Sequence, residues 1–197
     1  MAKQMIAQGQ KPCITVITAK NPTEQEKYAA WELVHYLNLM GSVSIPTGDE
    51  TAEGPVIAIG AAAARLGVTA DPKLSYDGFT LKTVGDSLAI VGGIRGVIYG
   101  VYELLEKLGC RFFTPLCEKI PSTVDIELPQ LDETQIPVLE YRQHNYTDFN
   151  KYPRFGTKSR LNAGKLPEYM GGGIQYAWFV HSFEPQILDP KEWYDTH

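Results

Sequence analysis

Hydrophobic and polar positions recur with different periods along this chain, and each change of period marks a new element. After a polar leader (residues 1–11), the β-branched run CITVITA at 13–19 predicts a strand. Thr23 then stands three residues before Glu26, the spacing of a capping box, and opens a helix. Its apolar positions Ala30, Leu33, Val34, Leu37 and Met40 follow helical spacing, and Gly41 supplies the stop. SVSIPT is a short strand candidate, and GPVIAIG is the continuously apolar run of a strand at a sheet centre. GAAAARLGV has the small residues of a short helix. YDGFTLKTVGDSLAIVGG then predicts two strands turning at Gly85 and Asp86.

The stretch GGIRGVIYGVYELLEKLGCRFFTP at 92–115 raises the choice between a phosphate loop and a packed joint. A glycine turn opening a helix can bind an anion through free N–H groups. This one matches neither G-x-G-x-x-G nor G-x-x-x-x-G-K-[ST], and it follows a hairpin rather than a first strand. Its helix carries an apolar stripe at Val97, Val101, Leu104, Leu105 and Leu108, with Glu103 and Lys107 as an outward pair. Gly96 and Gly100 lie one turn apart beside that stripe, which predicts close approach of helix to sheet. Packing is the better reading. CRFFTP and EKIPSTVDIEL supply further short strands, and the proline-bounded segment 129–137 reads as a linker.

Composition narrows the function. Eighteen Lys plus Arg against twenty-three Asp plus Glu give a formal net charge of -5, with no basic stripe for nucleic acid. No apolar run reaches membrane-spanning length, and the first residues lack the apolar core of a secretory signal. The expected location is cytoplasmic if the N-terminus is native. Cys13, Cys110 and Cys117 are odd in number, lack zinc-like spacing and are expected to be buried thiols. No cofactor or metal is expected, and His35 is expected to be a packed helix histidine.

Beyond the linker the chain turns polar and aromatic. A strand is expected at 138–142 and another at 176–180, with at best a short helix across 151–161. His144, Asn145 and Asp148 form a polar cluster, with Tyr146 and Phe149 available to stack on a sugar. The acids Asp148, Glu168, Glu184, Asp189, Glu192 and Asp195 are scattered, and no spacing selects a catalytic pair.

The motif G-[VI]-x-Y-G-V-x-x-L-L-E-x-x-G-x-R-F-x-x-P runs from 96 to 115. With the hairpin before it, it resembles the small α/β domain preceding the catalytic barrel of β-hexosaminidases and α-glucuronidases. It is most similar to the version in a large group of bacterial proteins with a glucuronidase-like N-terminus. EYRQHNYTDF, SRLN, HSF and KEWYDTH look like the first turns of that group's barrel. The resemblance implies an α/β two-layer sandwich, a mixed β-sheet with helices on one face, followed by an incomplete (β/α) barrel-like segment. The implied division is a flexible leader at 1–11, the hexosaminidase/glucuronidase-like domain at 12–128, a linker at 129–137 and a truncated barrel-like start at 138–197.

The same resemblance implies a sugar contact for Arg142, which alternatively pairs with Asp148 or a domain-interface carboxylate. It adds Arg160 and Asn162 through R-L-N, and His181 at a second strand end, where a structural histidine is the alternative. The working carboxylates of the related hydrolases lie in later strands, so no catalytic residue is assigned. The expected function is the non-catalytic N-terminal module of a carbohydrate-active, glycoside hydrolase-like protein, inactive by itself, with carbohydrate as the partner of the intact protein. A free-standing carbohydrate-binding module, resting on Tyr141, Tyr146, Phe149, Tyr152, Trp178 and Trp193, is the alternative. A structural domain that self-associates through an incomplete barrel surface is the other.

Overall fold

A computed structural model describes residues 3–175. Strand β1 (Met5–Gln8) bends back through β2 (Lys11–Pro12) into β3 (Thr15–Ile17). Helix α1 (Glu24–Gly41) follows, then β4 (Thr47–Gly48) and β5 (Val56–Ile59). A 3₁₀ segment at Gly60–Leu66 leads to the hairpin β6 (Phe79–Val84) and β7 (Ser87–Gly92), and then to helix α2 (Gly96–Lys107). A second hairpin, β8 (Arg111–Thr114) and β9 (Cys117–Lys119), precedes β10 (Ile126–Glu127) and β11 (Asp132–Gln135). Two short helices, α3 (Thr147–Lys151) and α4 (Pro153–Lys158), follow, and a 3₁₀ segment at Glu168–Met170 is the last of the described elements.

The main sheet has the order β11-β6-β7-β5-β3-β4. β4, β3, β5 and β7 are parallel, and β6 and β11 are antiparallel additions. A small sheet of β10, β1 and β2 lies beside it. The architecture is therefore a mixed α/β domain, and no sheet among the described residues closes into a barrel. α1 and α2 share one core with Ile57, Ile59, Leu81, Leu88 and Ile90. The 3₁₀ segment covers the opposite face through Ala62 and Ala63, against Ile17, Val56, Ala58 and Ala89. Burial on both faces explains why β5 reads as a continuous apolar run.

α1 begins as its sequence dictates. Thr23 Oγ1 accepts from Glu26 N–H, and the Glu26 carboxylate accepts from Thr23 N–H. His35 is packed between rings, stacked on Trp31 and edge-on to Tyr36. A Cβ on Gly100 would lie 3.0 Å from Ile90 Cγ2 and 3.4 Å from Phe79 Cβ, so the bare backbone sets how near α2 sits to the sheet.

Several expectations change. The leader contains β1, because Ile6 and Ala7 are fully buried against the main core. The expected linker contains β11, whose backbone pairs with β6 from Phe79 to Lys82. The strand expected at 138–142 does not form. There the Asn162 side chain takes the place of a neighbouring strand, accepting from Arg142 N–H and donating to the Glu140 carbonyl. The strand expected at 176–180 lies outside the described residues. Only Cys110 of the three thiols is buried. Burial, followed by the nearby Glu118 charge, pushes its thiol up to about 11.

Gly100→Leu is expected to destabilise the fold by about 1–3 kcal/mol through overpacking. A lowered chemical-denaturation midpoint would show it; an unchanged midpoint would mean that α2 is free to shift from Ile90.

Candidate functional site

The chain reverses direction across the sheet between β3 and β5, so their carboxyl ends form the crevice where open α/β sheets bind ligands. A cavity of about 420 Å³ lies there, lined in part by Thr23, Glu26, Gly60, Gly92 and Gly93. Its anion position is already taken. Glu26 Oε1 accepts from Ala61 N–H at 2.7 Å, and Oε2 accepts from Thr23 N–H at 2.8 Å. The start of α2 is closed as well. The Tyr76 carbonyl accepts from both Arg95 and Gly96, and the Gly78 carbonyl accepts from Gly93. A Cβ on Gly93 or Gly96 would strike the Ser75 or Gly78 carbonyl. The glycines let two backbones meet, and the amides that would hold a phosphate bond to the chain itself.

The expected site residues separate into two groups. Arg142, Asn162 and Arg160 face inward, toward acids of the α/β layers. Asp77 is the centre of this junction: Oδ1 accepts from Arg95 Nε at 2.5 Å, and Oδ2 accepts from Arg142 Nη2 at 3.0 Å and Asn162 Nδ2 at 2.7 Å. Arg142 also donates to the Arg160 and Leu139 carbonyls, and Arg95 to those of Gly171 and Gly172. The partner of Arg142 is thus Asp77, in the turn before β6, and not Asp148. Arg160 bridges Glu103 and Glu106 on α2.

Sequence reading missed two further contacts of the same kind. Glu32, with no exposed surface, receives two hydrogen bonds from Arg154. Lys158 donates to Glu118 and to the Tyr36 hydroxyl, over the rings of Tyr36 and Phe112. Burial pulls its ammonium below the usual lysine range. The available signal was the clustering of Arg154, Lys158 and Arg160 in seven residues, opposite acids far away in sequence.

His144, Asn145 and Asp148 face outward and are exposed. The His144 ring stacks on Tyr146 at 4.4 Å and lies 4.8 Å from Phe149. His144 Nδ1 accepts from Tyr146 N–H, which leaves Nε2 as the ring's donor toward solvent when the imidazole is neutral. Tyr146 is 71% exposed, so the stack presents an aromatic face beside the amides of Gln143 and Asn145. His181 lies outside the described residues. No group of three or more His, Cys, Asp or Glu among the described residues could hold a metal ion, and no helix among them is long and apolar enough to cross a membrane.

No family model matches the sequence. The probable glycosyltransferase STELLO1 of Arabidopsis thaliana is 31% identical over 168 residues, covering 80% of this chain and 20% of that protein. The chain therefore spans about a fifth of the length of the curated relative it matches. Among solved structures, the family GH115 4-O-methyl-α-glucuronidase BtGH115A, with specificity for decorated arabinogalactans, aligns with a TM-score of 0.54 at 19% identity. That alignment covers 68% of this chain and 19% of the other. A family GH138 enzyme targeting pectin rhamnogalacturonan II aligns with a TM-score of 0.35 at 21% identity, over 48% of this chain and 13% of its own. Of the two, the glucuronidase shows a shared fold: this chain resembles one portion of a carbohydrate-active enzyme.

Asp77→Ala is expected to cost about 3 kcal/mol, because Arg95 and Arg142 lose their buried counter-charge. Exposed Asp148→Ala should stay within about 0.5 kcal/mol. Denaturant titration of both variants checks the contrast, and equal stabilities would remove Asp77 from the centre of the fold.

Alkaline pH provides a separate test. Burial, then the Asp77 charge, pushes the Tyr99 hydroxyl up to about 12. Burial also carries Tyr36 and Tyr102 above the usual tyrosine range, aided by Glu118 and Glu32 respectively. A raised folded value favours the protonated, folded state. That stability is complete below pH 10.0, the ordinary tyrosine value, and is lost as pH rises through about 12 at Tyr99. Each such tyrosine removes about 1.4 kcal/mol per pH unit in that window. Lys158 acts in the opposite direction, since rising pH relieves the cost of its buried charge. The net expectation is cooperative unfolding coincident with tyrosinate absorbance above pH 10.0. Tyrosine titration without loss of helical circular dichroism would contradict it.

Proposed function

We propose that this chain is the non-catalytic N-terminal module of a carbohydrate-active, glycoside hydrolase-like protein, and is inactive on its own. The observation that carries the reading is the fold shared with about a fifth of an α-glucuronidase. The disposition of acids supports it. Glu32, Asp77, Glu103, Glu106 and Glu118 are engaged in ion pairs within the chain. Asp148 and Glu168 are exposed on separate short elements. Glycoside hydrolysis usually requires two carboxyl groups flanking one bond, a pairing these positions do not suggest.

Sugar contact in the longer protein is assigned to His144, Asn145 and Asp148, whose side chains are accessible. Arg142, Arg160 and Asn162 hold that loop in place, and His181 joins them through the resemblance of its sequence context. The exposed His144–Tyr146 stack favours a second reading, direct sugar binding by the module itself, because aromatic faces pack against the C–H face of a pyranose.

The 197-residue chain is expected to give no turnover with aryl glycosides or aryl glucuronides. Hydrolysis abolished by Asp148→Asn would overturn the proposal. Titration with uronic acids and N-acetylhexosamines separates the two readings: saturable binding lost in Tyr146→Ala supports a binding module, and a flat response leaves a scaffold.

A further inference from the structure

The Asp77 junction contains more cation than anion. Arg95 and Arg142 both pair with this one carboxylate, and Arg95 is only 5% exposed. The inner trio therefore carries a surplus of one positive charge. Its hydrogen bonding is also incomplete. Arg95 uses Nε on Asp77 and Nη1 on two carbonyls, while Nη2 has no partner among the described residues. Arg142 gives three of its five donors to Arg160, Leu139 and Asp77 and a further one to the Tyr99 hydroxyl, which leaves one free. Glu133 Oε1 is the one side-chain polar atom among the described residues both sealed and unpartnered, so Arg95 Nη2 opens onto accessible space.

That space is a cavity of about 160 Å³ lined by Asp77, Arg95 and Arg142. Its rim includes Tyr76, Val138 and Leu139, the last two 98% and 66% exposed. Glu140 also reaches the rim; its exposed carboxylate is a like charge that an anionic ligand must approach. A cationic floor under an apolar rim suits an ion with a charged end and an apolar end.

We propose that this cavity is a binding site for a small organic monocarboxylate, held by the free donors of Arg95 and Arg142. One negative charge brings the inner trio to neutrality, whereas a dianion such as phosphate would reverse its sign. The planar guanidinium forks match the two oxygens of a carboxylate, and the ligand's tail would cover Val138 and Leu139. The site stands on the arginine geometry alone and does not depend on the carbohydrate reading.

The test is a titration of the full chain with butyrate at constant ionic strength, following the Nε–H resonances of Arg95 and Arg142. Both groups are hydrogen-bonded, which slows their exchange with water. Saturable shifts are expected with butyrate, about fifteenfold weaker binding with acetate, which lacks two methylenes, and none with neutral butyramide. Two exposed rim variants leave the buried pairs intact and should act oppositely. Glu140→Gln should tighten butyrate binding, and Leu139→Glu should weaken it about tenfold by like-charge repulsion. Equal shifts with butyramide, tighter binding of phosphate than butyrate, no saturation, or rim variants without effect would each overturn the proposal.

Discussion

The carboxylate of Asp77 is the constraint to which the rest of the structure is fitted. It is buried, and a buried charge without hydrogen-bonded partners is costly. Its partners come from distant places: Arg95 before α2, Arg142 after β11 and Asn162 after α4. Satisfying one acid therefore fixes the entry to α2 against the loops that follow the sheet. Asn162 extends the effect, because the same amide that reaches Asp77 also ties down the backbone at Glu140 and Arg142.

The remaining ion pairs repeat this logic. Arg154, Lys158 and Arg160 leave one short stretch and find Glu32, Glu118 and the Glu103–Glu106 pair on separate elements. Such pairs contribute position more than net stability, since desolvation offsets much of their attraction. They hold residues 138–162 against the α/β layers, which leaves His144 and Tyr146 displayed on a loop with an anchored base.

The elements controlled by local chemistry were legible from local signals along the chain. The capping box at Thr23 and Glu26 and the Gly85–Asp86 turn depend on near neighbours, and β5 announces its burial on both faces by an unbroken apolar run. β11 was hidden because it is a short strand whose partner β6 lies far back along the chain, and β1 because only a two-residue strand pairs with it locally while its other partner, β10, comes from far along the chain. Arg142, Asn162 and Arg160 were legible as residues of consequence, but the direction of their side chains was not. That direction depends on Asp77, a single acid in the turn YDGF with no pattern to announce it. Glu26 had an obvious role as a cap, while its second bond to Ala61 needed β5 to arrive beside it.

The two borders of the main sheet bear on how copies of this protein meet one another. β4 contributes two residues after Pro46, and β11 contributes four between Pro129 and Pro137, beginning with Asp132 and Glu133. Each border offers a new strand little backbone to pair with, and one also offers it negative charge. Short, charged and proline-flanked edges are how natural sheets avoid growing by strand addition. Crowding this chain on a ribosome or at high concentration therefore gives its sheet little means to propagate from molecule to molecule, and the fold can remain discrete while much of its surface stays available for contact.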